Sequence, residues 1–249
     1  MRSYAQTYPQ LINQALSAGW EGESLLALRH THEFAADAVN GMYRASGARF
    51  LDHLTRTASI VLAQGSALPI VLAAHLHANE ILHMFPGSRT RPPTWIRRKR
   101  VRELIGEEAE TLTHAYPQVS WTSPAAIEAH RAGLGAASTM QRNLILLRLA
   151  NELEDYLDDA TLFSRERELE AALVHGEATA GLARALGHGQ LADELVEALP
   201  TRASLQEDLV LEHGSSFFRS TNVRRKRTWP EGVAYRVFRR LRNEIRRRS

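Results

Sequence analysis

The sequence predicts an all-α protein on three observations: apolar residues recur at helical spacing along most of the chain, runs of strict alternation are few, and Gly or Pro punctuates the periodic segments at helical lengths. "YPQLINQALSAG" reads as a short helix stopped by Gly19, and Glu23 to Tyr43 as a longer one. Phe50, Leu51, Leu54, Ala58, Val61 and Leu62 trace one face of a third helix, closed by Gly65. The segment from Pro69 to about His83 is apolar all round, which predicts a central helix buried on most sides. "FPGSRTRPPTW" holds three prolines and a glycine, and predicts a loop. Helix resumes in "RRKRVRELIGEEAETLTHAY" with a break at Gly106, and Ser123 before Pro124 supplies an N-cap and a first-turn proline for the next. About Ala137 to Asp158 forms a long helix with Ile145, Leu149, Leu153 and Tyr156 as its core stripe. Two or three shorter helices, a polar stretch and a terminal amphipathic helix complete the chain. This organisation divides into a helical domain over 1–165, a helical extension packed on it over 166–218, and a basic linker with an amphipathic helix over 219–249.

Composition narrows the chemistry. With 44% hydrophobic residues in 249, the chain has the apolar material for a sizeable core. It has no cysteine, which excludes disulfides, thiolate zinc sites and cysteine nucleophiles and fits a reducing compartment. Any metal must be held by His, Asp, Glu or Asn. The first twenty residues lack the apolar core of a signal peptide, and "ALPIVLAAHL" is far shorter than the roughly 20 residues that span a bilayer, so a cytoplasmic protein is expected. There is no phosphate-binding glycine loop, dinucleotide fingerprint, Gly-x-Ser-x-Gly elbow or His-Glu-x-x-His pair.

Histidines supply the first candidates. His75 and His77 lie two apart and so on nearly opposite helix faces, which leaves at most one of them for any given site. His30 and His32 form a second cluster, and His53 stands on the Phe50 helix. A histidine on so apolar a segment is either a hydrogen-bonded core residue or a ligand. Asn151, Glu154, Asp155 and Asp158 share one stripe of the long later helix, which is either a solvated outer face or the wall of a site.

"ADAVNGMYRASGARFLDHLTRTASIVLA" resembles the start of the hydrolase domain of RelA/SpoT-type alarmone enzymes, a branch of the HD superfamily of metal-dependent phosphohydrolases. Arg44, Ser46, Gly47 and His53 fall at the family's spacings. His77 stands where the family has the His of its His-Asp doublet, and "LLRLANELEDYLD" is similar to the later helix that ends the ligand set, at Asn151. The likeness spans roughly residues 25 to 165, and the chain is more similar still to an uncharacterised bacterial HD-like group with a His-Ala doublet. The resemblance implies an HD-domain-like bundle in which His53, His77 and Asn151 hold a divalent metal (Mn, Fe, Zn or Mg), and Arg44, Ser46 and Gly47 bind a small phosphorylated, nucleotide-like ligand.

The chain departs from the family where charge matters. Ala78 replaces the Asp of the doublet, Asn151 replaces the later Asp, and Ile81 and Leu82 replace an acidic pair. Glu80, Glu154 and Asp155 lie within a turn of the remaining ligands and are the candidate catalytic carboxylates. Two classes of function follow: a divergent metal-dependent phosphohydrolase-like protein, or a catalytically degenerate HD-fold binding or scaffold protein.

Charge is uneven. From Arg219 onward there are twelve Lys/Arg against two Asp/Glu, whereas the preceding chain is acidic. Within 231–248, Val233, Val237, Leu241 and Ile245 form an apolar stripe among seven arginines. Such a helix suits an anionic membrane surface, making the protein peripheral there, or a protein partner, and suits nucleic acid less because stacking aromatics are few. It can equally pack on the acidic body of the chain itself.

Overall fold

The computed structural model describes residues 2–39, 41–44, 47–78, 93–158 and 166–210 together with Arg224 and Arg225, and for 166–173, 200–210 and 224–225 it describes the backbone alone. The fold is all-α. Its helices are α1 (Tyr8–Ser17), α2 (Glu23–Ala38), α3 (Phe50–Ala63), α4 (Leu68–Leu76), α5 (Thr94–Ile105), α6 (Glu107–Ala115), α7 (Pro124–Gly133), α8 (Thr139–Leu157), α9 (Glu166–Leu186) and α10 (Gly189–Val210). Single 3₁₀ turns at Tyr116–Gln118 and Leu134–Ala136 follow α6 and α7.

Local chemistry sets the ends of these helices. Ser138 caps α8 reciprocally: its hydroxyl accepts from the Gln141 amide at 3.3 Å and the Gln141 side chain accepts from the Ser138 amide at 2.8 Å. Ser123 caps α7 by accepting from Ala126 N–H at 3.2 Å, with Pro124 in the first turn. Between α5 and α6 the chain turns at Gly106, whose φ of 84° is cheap only for glycine.

The centre is α4, where every residue from Ile70 to Leu76 is buried. It packs on α3, α6, α2 and α8, while α3 also packs on α8 and α1. Leu54, Ile60, Leu76, Leu112, Leu147, Leu149 and Leu153 are fully buried where these helices meet. The extension packs through α9 on α7 and through α10 on α8.

Several expectations need correction. The second helix ends at Ala38, not Tyr43: Gly41 takes φ 69°, and Met42–Tyr43 is a short strand, β1, paired antiparallel with the backbone of Arg224–Arg225. Asn40-Gly41 is a turn dipeptide that a helical reading passes over. The central helix ends at Leu76, not near His83, because the His77 side chain turns back and bonds the Ala74 carbonyl. The two or three shorter helices expected after α8 are two helices of 21 and 22 residues, longer than α8. Gly176, inside α9, is a contact glycine: a Cβ there would lie 2.0 Å from Leu199 Cδ1 on α10. Of the loop expected over 85–95, residues 85–92 lie outside the described residues, while Thr94 and Trp95 already belong to α5 behind Pro93 at its N-cap. Ser46, Glu80 and the helix at 231–248 lie outside the described residues. Among the described residues, no helix is long and apolar enough to cross a membrane.

Candidate functional site

Three segments distant in sequence meet at one end of the bundle. The turn after β1 brings Arg44 over α8: Gly47 N–H donates to Arg44 O and Arg44 N–H to Ala48 O, each at 2.9 Å, and Gly47 sits at φ 88°. Gly47 therefore shapes the backbone, and being exposed it contributes no wall. His53 lies one turn into α3 and His77 caps α4. Asn151 and Glu154 in the last two turns of α8 and Asp158 at its C-cap are buried, with Asp155 partly so, and their stripe is not a solvated face.

The hydrogen bonds fix which atoms have electron pairs to offer. His77 Nδ1–H donates to Ala74 O at 2.7 Å; a carbonyl has no hydrogen to give, so the hydrogen sits on Nδ1 and Nε2 carries a lone pair. Burial, with the nearby His53 adding, pushes His77 down to about 3, which keeps the ring neutral. His53 Nδ1–H donates to Glu154 Oε2, and Asn151 Nδ2–H donates to Asp155 Oδ2 at 3.1 Å. These bonds aim His53 Nε2 and Asn151 Oδ1 at His77 Nε2, at 3.2 and 2.9 Å.

Three lone pairs thus face one another in a buried place. A hydrogen added to His53 Nε2 answers one of these contacts, but Asn151 Oδ1 still faces the lone pair of His77. Flipping the Asn151 amide moves its oxygen against the Asp155 carboxylate, which is equally unfavourable. Tyr116 and Phe50 close the ring walls, edge-on to His77 at 4.9 Å and to His53 at 5.5 Å between centroids.

Outside this trio lies a charged layer. Arg44 Nη1 donates to Glu154 Oε2 at 2.9 Å and to Asp158 Oδ2 at 3.2 Å, while Nη2 donates to Asp155 Oδ1. Arg56 lies 3.6 Å from Glu154 Oε1. Burial works against a charged guanidinium, but Asp155, Glu154 and Asp158 outweigh it and hold Arg44 firmly protonated. Burial alone would raise Asp155; Arg44 overcomes this, with His53 and Arg148 adding, and keeps the carboxyl below its usual range. Arg148 donates to Glu152 and to the Tyr116 hydroxyl, the latter at 3.3 Å. His53, Glu154 and Asp155 each offer a ligand atom within 4.8 Å of the others, so this group can hold a metal ion.

The structure therefore brings His53, His77, Asn151, Arg44, Glu154 and Asp155 together. Arg44, expected to bind a ligand anion, is spent on three carboxylates of its own chain. Arg56 and Arg148 were missed, although each stands three residues from a site residue on its own helix and so on the same face. Tyr116 was missed for want of any signal, since it arrives on a 3₁₀ turn.

A sequence family described as "Domain of unknown function (DUF6817)" matches residues 35–120. That stretch carries Arg44, His53, His77 and Tyr116 and stops short of α8. No curated protein matches the chain.

Proposed function

We propose that this end of the bundle is a divergent HD-type divalent-metal site acting as a phosphohydrolase on a small phosphorylated, nucleotide-like ligand. The observation that carries the reading is the meeting of His53 Nε2, His77 Nε2 and Asn151 Oδ1, three electron-pair donors with no hydrogen to share among all of them. A cation accepts all three pairs at once, so the donor set fits the metal that the HD resemblance implies. When bound, such an ion supplies charge against a phosphate oxygen and an acidified water.

The chain's own residues hold this arrangement. Glu154 and Asp155 accept from His53 Nδ1–H and Asn151 Nδ2–H and so orient the ligand atoms, as buried partners of metal ligands do. Arg44 fixes both carboxylates at once. The order of the sequence segments, with Arg44 and His53 first, His77 next and Asn151 last, supports the same reading.

One observation favours the alternative, a binding or scaffold protein without turnover that its basic segment at 231–248 brings to an anionic membrane or a partner: Ala78 lies buried beside His77 and offers no carboxylate. Turnover separates the two readings. Metal-loaded protein is expected to release phosphate from a nucleotide or sugar-phosphate panel, and His53→Ala and His77→Ala to abolish the release. Stoichiometric metal with no release from any member of the panel favours the binding protein.

A further inference from the structure

We infer that this site takes up its divalent ion together with an oxyanion, the ion alone being held weakly; the inference rests on the metal reading above and concerns what controls occupancy. The three ligand atoms are two neutral imidazole nitrogens and an amide oxygen, so the trio itself contributes no negative charge.

The next layer contributes little more. Glu154, Asp155 and Asp158 are met by Arg44 and Arg56, and Glu152 is matched by Arg148. Among the described residues, three carboxylates against two guanidiniums leave one negative charge around the trio. A divalent ion overturns that balance and leaves one positive charge in a place where His77 is 3% exposed and Glu154 2%. Uncompensated charge is costly where water is excluded.

Neither of the two residues at the expected carboxylate positions supplies the missing negative charge: Asn151 is an amide and Ala78 a buried methyl. The described residues of the site thus leave the neutralising charge to arrive with the ligand. Three protein ligands also leave room on the ion for an oxygen from outside. The coupling is reciprocal: whatever factor the anion adds to the ion's affinity, the ion adds to the anion's.

The test is Mn²⁺ binding to the purified full-length protein, followed by the paramagnetic resonance signal of free Mn²⁺, in inorganic phosphate and in chloride at matched ionic strength. The His53→Ala/His77→Ala double variant in both buffers corrects for Mn²⁺ that phosphate binds in solution. Phosphate is expected to tighten Mn²⁺ binding by about tenfold or more, within the usual range of coupling between two ligands. Asn151→Asp returns a carboxylate to the trio; in chloride it is expected to bind Mn²⁺ about tenfold tighter than the native chain and to gain less than about threefold from phosphate. Ala78→Asp tests the same point from the other position if Asn151→Asp does not fold, as judged by its helical circular dichroism. Equal native affinity in the two buffers overturns the inference, as does an undiminished phosphate effect in the carboxylate variants. Failure to bind Mn²⁺ in either buffer is a different result, and overturns the metal reading itself.

Discussion

Two histidine pairs flank the end of α4, His53 with His77 and His32 with His75, and in each the facing nitrogens are 3.2 Å apart. The contacts look alike, but their surroundings give them opposite characters. His75 is fully buried and its Nδ1 has no partner among the described residues, so its single hydrogen is free to sit on Nε2 and bond to His32 Nδ1. One hydrogen satisfies that pair, and the Tyr8 ring stacked on His32 at 4.3 Å completes an ordinary core contact. In the other pair both Nδ1–H groups are committed outward, to Glu154 and to Ala74 O, so two lone pairs are left facing each other with a third on Asn151. Among the described residues, the group of His, Asp and Glu close enough to share an ion is His53 with Glu154 and Asp155, and it contains none of His77, His32 and His75. What separates the two pairs is the partner of the far nitrogen, not the distance between rings.

The comparison breaks most sharply by removing one histidine at a time. His53→Ala or His77→Ala is expected to abolish Mn²⁺ binding in phosphate, whereas His32→Ala and His75→Ala leave its affinity within about threefold, since they remove no ligand. Calorimetric titration of the four variants checks this, and loss of binding on the His32 side would contradict the distinction.

Next in size is the outward partner. Glu154→Gln keeps an oxygen at the position but loses the charge that holds His53 and Arg44, and is expected to weaken Mn²⁺ binding by roughly 10- to 100-fold, the usual effect of removing a ligand's buried partner. An affinity unchanged from the native chain would mean that His53 needs no such support.

The core pair has its own signature in pH. Burial, with His32 and His77 adding, pushes His75 down to about 3 from an ordinary 6.5, so the folded chain keeps it neutral while the unfolded chain protonates it. Its contribution to stability is whole above pH 6.5 and is lost as the pH falls towards 3, at up to ~1.4 kcal/mol per pH unit for one proton. His75→Leu is therefore expected to flatten the pH dependence of unfolding between about pH 6.5 and about pH 4 by close to one proton, measured by denaturant titration. A slope equal to that of the native chain would show that His75 is not held neutral.

The smallest effect concerns the turn that delivers Arg44. Gly47→Ala, at φ 88° with open space around its Cβ, is expected to cost about 1 kcal/mol in thermal stability. A variant as stable as the native chain would show that the turn tolerates an L side chain.

Much of this was legible in the sequence because the signals were local or periodic. The capping serine Ser123, the breaks at Gly19, Gly65 and Gly106 and the apolar surround of α4 each act over a few residues, and so mark their helices directly. His53, His77 and Asn151 were found as a set only because their order resembles a known family; nothing local joins residues on three different helices. The same limit hid the partner of Arg44, since a guanidinium that meets carboxylates more than a hundred positions away reads in sequence as an unattached cation. The length of α9 was hidden for the opposite reason. Gly176 sits within it, and its contact with Leu199 of α10 is seen only in the fold.

The central claim is that His53 Nε2, His77 Nε2 and Asn151 Oδ1 are the ligand atoms and that Glu154 and Asp155 act behind them. The most direct measurement is the anomalous scattering of Mn²⁺ in crystals of the full-length protein grown with inorganic phosphate. The account predicts one ion bound to those three atoms with a phosphate oxygen beside them. An ion seated instead on the carboxylates of Glu154 and Asp155, with Arg44 displaced, would contradict it.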